Sequence, residues 1–243
     1  MPYEKVFAFG DSFTRGDELA DCQIRSITGG FCNAGQAYSV STWPSLIAKE
    51  LNVEYECRAI GGRGNSWINW SVNQALSERK KCLVVVNWSY FGRFDFLDLD
   101  DHWQTLTPNH NDISENEYYK NIDNDLWNLN RNLQLMYSTF SMLENNAFDF
   151  ISTCQDSAFK STVDSLRSVN PIMGHKNWKR SLKPLIDFVV PRITEFEELS
   201  FRDWSSKHDF PIGPGGHPLE KAHIEAAKYI NTHVMEGKNN GHR

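Results

Sequence analysis

Two residues at opposite ends of the chain have the chemistry of a nucleophile and its base. Ser12 comes two residues after Gly10, where the apolar, β-prone run Lys5–Phe9 stops. A serine becomes nucleophilic near neutral pH when a base takes its proton, and an imidazole is the usual base. His217 lies in the glycine-rich segment 213–218, just before a predicted helix. Ser12 is therefore the candidate nucleophile and His217 the candidate base.

A third group is needed if the imidazole is to be held in one tautomer. Asp209 is the nearest carboxylate before His217 and is the candidate for this role. The alternative interpretation is a solvated turn aspartate, because aspartate is common in turns.

The elements that must position these residues alternate between strands and helices. Strands are predicted at about residues 5–9, 53–59, 82–88 and 147–153, of which the first and third are apolar runs, and helical spacing predicts helices at about 42–51, 66–77, 117–145 and 219–235. This order favours a parallel sheet with helices on both faces. Because the carboxyl ends of parallel strands meet at one edge, Ser12, the glycine-rich segment 61–64 and residues 87–89 are expected there together.

Four short segments resemble the sequence blocks of the SGNH/GDSL hydrolase family. Phe9-Gly10-Asp11-Ser12 resembles the first block, which carries the nucleophile, and residues 59–66 (Ala-Ile-Gly-Gly-Arg-Gly-Asn-Ser) resemble the second. Residues 84–89 occupy the place of the third block and residues 216–218 that of the last. The resemblance implies an α/β protein with a flavodoxin-like three-layer α/β/α fold, a central parallel sheet and helical insertions. It also implies that the backbone N–H groups of Ser12 and Gly61 form an oxyanion hole.

The chain departs from the family pattern at three positions. Ala59 stands where the second block usually has asparagine, and Pro214 stands where the last block has its aspartate. The asparagine of the third block, a further oxyanion donor, falls on Ser89, or on Asn87 in a shifted register. Because some members orient the histidine through a backbone carbonyl, a Ser-His dyad is the alternative to a triad that uses Asp209.

Three residues near the predicted site are candidates for binding substrate: Asp11, Trp88 and Arg93. Core packing is the alternative for Trp88, and an ion pair with a nearby acid is the alternative for Arg93. The Trp-Ser pair followed by Arg93 also resembles a divergent branch of the family with phage-encoded members. Aromatic and asparagine side chains near the site favour a sugar ester as substrate, because aromatic faces and amides suit sugar rings.

The composition narrows the class of protein. A length of 243 residues predicts a single hydrolase domain over 1–243, with insertions around 15–42, 91–116 and 155–206. A net charge of −6 argues against nucleic acid as a partner. The five cysteines form no CxxC pair and no zinc spacing, and the scheme needs neither metal nor organic cofactor. Neither a signal peptide nor an apolar run of about 18 residues is evident, which predicts a cytoplasmic protein without a membrane span and is compatible with virion association.

These patterns predict a serine esterase that hydrolyses carboxylic esters, small or glycan-borne, through an acyl-enzyme on Ser12 with His217 as base. O-acetyl groups on carbohydrate are one expected substrate class. The alternative is a catalytically impaired binding protein or virion structural protein on the same scaffold. A nucleotide or phosphate binder is disfavoured, since the segment 61–66 lacks the Lys-Ser/Thr ending of a phosphate loop. The sequence leaves the oligomeric state open.

Overall fold

The computed structural model describes residues 3–22, 38–76, 81–108, 113–168 and 176–235. Its strands are β1 (Lys5–Phe9), β2 (Glu54–Cys57), β3 (Cys82–Trp88), β4 (Phe94–Leu97), β5 (Trp103–Leu106) and β6 (Asp149–Cys154). Its α-helices are α1 (Ser12–Arg15), α2 (Trp43–Leu51), α3 (Asn65–Ala75), α4 (Ile113–Asn121), α5 (Asp125–Asn145), α6 (Ala158–Ser168), α7 (Lys176–Val189), α8 (Phe201–Lys207) and α9 (Glu220–Ile230). A 3₁₀ turn, Val190–Arg192, follows α7, and a π-helical turn, Asn231–Met235, follows α9.

Four strands form a parallel sheet in the order β2-β1-β3-β6. All five residues of β1 and all seven of β3 are buried, as expected of central parallel strands, which are covered on both faces. In both strands the sequence is therefore a nearly continuous apolar run and does not alternate between apolar and polar residues.

Helices cover both faces of this sheet. On one face, Phe7 and Phe9 of β1 pack in a core with residues of α3, α5 and α7. On the other face, Val6 and Ala8 pack with residues of α2, α8 and α9. Neighbouring residues of β1 lie on opposite faces of the sheet because side chains along a strand alternate with a period of two. The result is the predicted three-layer α/β/α arrangement.

The predicted helix 117–145 is two helices, α4 and α5. The chain breaks between them because the Asn124 side chain accepts the N–H of Trp127 and caps α5. The residue before the break, Ile122, is 55% exposed and contributes nothing to the core. The apolar spacing that suggested one helix belongs mainly to α5.

The predicted insertion 91–116 contains the antiparallel hairpin β4–β5. Asp95 of this hairpin is buried, and its carboxylate accepts the N–H groups of Gly64 and Trp67 at 2.8 and 2.9 Å. These two groups lie at the start of α3, which Gly64 itself cannot cap with a side chain. The hairpin is thus fastened to the end of the glycine-rich segment 61–64.

The other two predicted insertions differ in how much of them is described. Residues 155–206 contain α6, α7 and the start of α8, in line with the helical pattern expected there. The central part of insertion 15–42, residues 23–37, lies outside the described residues. Within the described ranges, no helix combines the length and apolarity needed to cross a membrane.

Candidate active site

Ser12 is the first residue of α1, directly beyond the carboxyl end of β1. Asp11 caps this short helix, since its side chain accepts the N–H of Phe13 at 3.1 Å. Gly10 is required by space: a Cβ built there would lie 2.2 Å from Oγ1 of Thr14. This tight turn fixes Ser12, which is 6% exposed, at the edge of the sheet.

His217 lies next to Ser12, although the two residues are near opposite ends of the sequence. Its Nε2 lies 2.8 Å from the Ser12 Oγ, and its ring packs on Phe13 with centroids 4.8 Å apart. A backbone hydrogen bond closes the loop 213–217, called the histidine loop: Gly213 N–H donates to the His217 carbonyl at 2.8 Å. Gly216 has φ +86°, a conformation that glycine adopts without strain. The predicted nucleophile and base are therefore brought together at hydrogen-bond distance.

The other ring nitrogen of His217 is held by a carboxylate that the sequence did not indicate. Glu18 Oε2 lies 2.7 Å from His217 Nδ1, and Glu18 Oε1 accepts the N–H of Gly215 at 2.7 Å. Burial raises the pKa of Glu18, but the hydrogen bonds from Gly215 and His217 outweigh it and hold that pKa below its ordinary value. Glu18 is thus an ionised group that can fix the imidazole tautomer and stabilise an imidazolium.

Asp209 does not occupy this position. It is exposed in the turn after α8, with φ +53°, and its N–H donates to the carbonyl of Ser206. The candidate acid predicted there is corrected to Glu18, and Asp209 has the surroundings of the solvated turn aspartate that was the alternative. One indirect signal was present in the sequence: Pro214 stands in the place of the family aspartate, so that any carboxylate partner of His217 had to come from another position.

The backbone N–H groups of Ser12 and Gly61 are the candidate oxyanion donors. The Gly61 segment runs beside the nucleophile turn, since Ile60 N–H donates to the Gly10 carbonyl at 3.3 Å. Within the described part of the chain, the N–H groups of Ser12 and Gly61 make no hydrogen bond. Gly61 also lies against Arg15: a Cβ on it would come 2.3 Å from the Arg15 Nη2.

The two side chains predicted as a further oxyanion donor, Ser89 and Asn87, are both buried and engaged. The Ser89 hydroxyl donates to Asp11 Oδ2 at 2.7 Å. The Asn87 amide donates to Thr14 Oγ1 at 3.1 Å, and its carbonyl accepts from Thr153 at 2.9 Å. Each of these donor groups already has a protein partner, so neither is directed at open space before Ser12.

The three predicted substrate-binding residues differ in exposure. Trp88 is fully buried, packs on Phe140 and donates its Nε1–H to Ser152, so this residue belongs to the core and its prediction is corrected. Asp11 is also fully buried and acts on Ser12 by capping α1. Arg93 lies at the edge of the site, where its Nη1 pairs with Asp11 Oδ2 at 2.9 Å.

No group of three or more His, Cys, Asp or Glu side chains in the described ranges is arranged to hold a metal ion. No protein-family model and no curated protein sequence matches this chain.

The fold itself has known counterparts. The chain shares its three-layer α/β fold with a solved esterase structure, in agreement with the fold that the sequence resemblance implied. A solved structure of the psychrotrophic esterase EstA from Pseudoalteromonas sp., inhibited by monoethylphosphonate, superposes with a TM-score of 0.51 at 10% identity, covering 98% of this chain and 100% of that one.

Two further structures are similar at lower TM-scores. A member of the lipolytic protein G-D-S-L family from Veillonella parvula has a TM-score of 0.47 and 11% identity, covering 95% of this chain and 98% of that one. An acetyl xylan esterase from the rumen bacterium Butyrivibrio proteoclasticus has a TM-score of 0.49 and 14% identity, covering 97% of this chain and 64% of that one.

Proposed function

We propose that this protein is a serine esterase that hydrolyses carboxylic esters through an acyl-enzyme on Ser12. The observation that carries the proposal is the chain of two short hydrogen bonds, from Ser12 Oγ to His217 Nε2 at 2.8 Å and from His217 Nδ1 to Glu18 Oε2 at 2.7 Å. A nucleophile, a base and an orienting carboxylate in that sequence are the parts that acyl transfer requires. The esterase fold of the Pseudoalteromonas structure supports the same reaction class.

In the acylation step, Ser12 Oγ attacks the ester carbonyl carbon while His217 Nε2 takes the hydroxyl proton. The tetrahedral intermediate collapses, the bond to the alcohol oxygen breaks, and His217 returns the proton to that oxygen. Glu18 keeps Nδ1 protonated throughout and stabilises the imidazolium between the two transfers. A water molecule then repeats the sequence on the acyl-enzyme, which releases the acid and restores Ser12.

The N–H groups of Ser12 and Gly61 stabilise the negative charge that develops on the carbonyl oxygen. Both belong to short, tightly bonded turns, so they are held in place before the reaction begins. Preorganised donors of this kind lower the barrier because no reorganisation is needed at the transition state. Since Ser89 and Asn87 are engaged elsewhere, the mechanism relies on these two amides.

A carbohydrate bearing O-acetyl groups is the substrate class that we favour. Three tryptophans, Trp67, Trp70 and Trp103, lie within 4.9 to 6.0 Å of one another on α3 and β5. Trp70 is 41% exposed, and α3 directly follows the Gly61 segment. An exposed aromatic face beside an esterase site suits the apolar face of a sugar ring.

Hydrolysis of p-nitrophenyl acetate by the purified wild type and by Ser12→Ala tests the esterase proposal. We expect turnover by the wild type and a loss of at least about a thousandfold in the variant, because removal of one member of such a catalytic unit disables it. Circular dichroism of both proteins checks that they fold alike. Turnover that is equal in the two proteins, or none from folded wild type, would contradict the proposal and favour a binding or virion structural role.

A further inference from the structure

A line of interacting side chains borders the active site on the side of the histidine loop. Arg93 is anchored on Asp11 and lies over the ring of Tyr90, with 5.2 Å between the guanidinium carbon and the ring centroid. Tyr90 in turn packs edge-on against Phe13, with centroids 6.4 Å apart, and Phe13 packs on His217. The Tyr90 ring is thus one contact removed from the imidazole.

Arg202 of α8 completes this border. Arg202 lies near Tyr90: burial raises the pKa of Tyr90, the charge of Asp11 adds to that rise, and the charge of Arg202 opposes it. The Arg202 guanidinium lies against Gly216, where a Cβ would be 3.4 Å from Arg202 Nη2. Arg202 therefore lies beside the residue that precedes His217.

The charge of Arg202 is not balanced by a carboxylate in the described part of the chain. Two other arginines near the nucleophile are paired, Arg93 with Asp11 at 2.9 Å and Arg15 with Asp17 at 2.6 Å. Arg202 itself is exposed to solvent. A protein with a net charge of −6 thus keeps an uncompensated positive charge at the rim of its site.

The location of Arg202 indicates which part of a bound ester, the acyl or the alcohol portion, it can contact. The alcohol oxygen must approach His217 Nε2 to receive its proton, so the alcohol portion leaves the site on the histidine side. Gly216, against which Arg202 lies, directly precedes His217 in the loop that carries the imidazole. A group attached to the alcohol portion is therefore the part of a substrate within reach of Arg202.

We infer that Arg202 binds an anionic group on the alcohol portion of the ester and gives the site a preference for negatively charged substrates. The inference rests on the proposed esterase function. A guanidinium suits a carboxylate, as in a uronic acid, and a phosphate equally, since it offers paired N–H donors to either anion. Burial of Arg202 by the bound substrate strengthens the pair relative to an exposed one.

The test uses three aryl acetates that differ only in the group opposite the acetoxy group on the ring. 4-Acetoxybenzoate and 4-acetoxyphenyl phosphate carry the two anions, and 4-acetoxybenzamide is the neutral counterpart. For Arg202→Gln we expect kcat/KM to fall about fivefold or more on an anionic acetate, mainly through KM, and to change less than twofold on the neutral one. The anionic acetate on which Arg202→Gln loses more kcat/KM identifies the preferred anion.

Two controls separate charge recognition from damage to the histidine loop. Arg202→Lys should recover part of the preference, and raising the salt concentration should weaken the preference of the wild type, because exposed charges are screened. Lys207→Gln removes the same charge from the same helix at a residue paired with Glu197, and should leave all three substrates unchanged. Equal losses on charged and neutral acetates, or no loss on either, would overturn the inference. Failure of the wild type to hydrolyse even 4-acetoxybenzamide would instead contradict the esterase proposal itself.

Discussion

Glu18 Oε2 lies 2.7 Å from His217 Nδ1, although 199 residues separate the two in the sequence. Glu18 is only six residues beyond Ser12, and Gly16, with φ +84°, turns the chain back after α1. One turn therefore supplies both the nucleophile and the carboxylate, while the distant loop supplies the histidine between them. Glu18 itself has φ +72°, an uncommon conformation for a residue with a side chain, and its hydrogen bonds to Gly215 and His217 hold it there.

Glu18→Gln tests the role of the carboxylate. The glutamine oxygen can still accept the N–H of Gly215, but its amide N–H groups face His217 Nδ1 and favour the wrong tautomer. We expect kcat for p-nitrophenyl acetate to fall by about a hundred- to ten-thousandfold with little change in KM. Steady-state kinetics at pH 7.5 provide the measurement.

Asp209→Asn is the matched control for Glu18→Gln, because it makes the same chemical change at the other candidate acid. Its kcat should stay within about threefold of the wild type, since Asp209 lies exposed in a turn. A large loss for Asp209→Asn together with a small one for Glu18→Gln would reverse the assignment.

Ser89→Ala distinguishes an oxyanion donor from a structural hydroxyl. The variant deprives the buried Asp11 carboxylate and the Arg93 guanidinium of a shared partner. We expect a loss of about 1–3 kcal/mol in the free energy of unfolding, measured by urea denaturation, with kcat reduced less than tenfold. If Ser89 donates to the oxyanion instead, stability will be nearly unchanged and kcat will fall a hundredfold or more.

The buried residue His223 should make the free energy of unfolding depend on pH. His223 is 1% exposed, and its Nδ1 accepts the N–H of Trp43 at the start of α2. Burial, and then the charge of His217, lower the pKa of His223 to about 3. Between pH 6.5 and 3 the unfolded chain therefore binds a proton that the folded one does not, so this contribution to stability is full above pH 6.5 and is lost as the pH falls.

His223→Gln removes this titration while keeping an acceptor for Trp43. The free energy of unfolding of the wild type should fall with decreasing pH more steeply than that of the variant, by up to about 1.4 kcal/mol per pH unit. Urea denaturation at pH 7, 6, 5 and 4 measures both slopes, and His102→Gln, at an exposed histidine on the hairpin, is the control. Identical slopes for wild type and His223→Gln would be inconsistent with a neutral buried imidazole.

Trp70→Ala tests the sugar-ester proposal. Loss of an exposed ring that stacks on a sugar should raise KM for an acetylated oligosaccharide about three- to tenfold and leave p-nitrophenyl acetate unaffected. Trp127→Phe changes another partly exposed tryptophan, on α5 outside the cluster, and serves as the control. An equal KM for wild type and Trp70→Ala on the oligosaccharide would remove the support that the tryptophan cluster gives.

The two central strands were predictable because β1 and β3 are buried on both faces and consist of nearly unbroken apolar runs. The ends of β1 and β3 therefore fell within a residue of their predicted positions. The break between α4 and α5 was harder to foresee, since it depends on one capping side chain, Asn124, inside a sequence that remains compatible with helix.

Glu18 could not be chosen from the sequence, because three carboxylates follow Ser12 within ten residues. Only the structure shows that Asp17 pairs with Arg15, that Asp21 accepts from Ser39, and that Glu18 faces the histidine. Trp88 and Ser89 emerge at the correct edge of the sheet, yet their side chains turn inward. Strand ends define where a site lies, whereas tertiary packing decides which side chains open onto it.

The most direct test of the account is the covalent reactivity of Ser12. Intact mass spectrometry after treatment with a fluorophosphonate should show one adduct on the folded wild type, located at Ser12 by peptide mapping. Ser12→Ala and heat-unfolded wild type should show none, and Glu18→Gln should react far more slowly. A folded wild type that stays unlabelled, or an adduct that persists in Ser12→Ala, would contradict the assignment of Ser12, His217 and Glu18 as a catalytic unit.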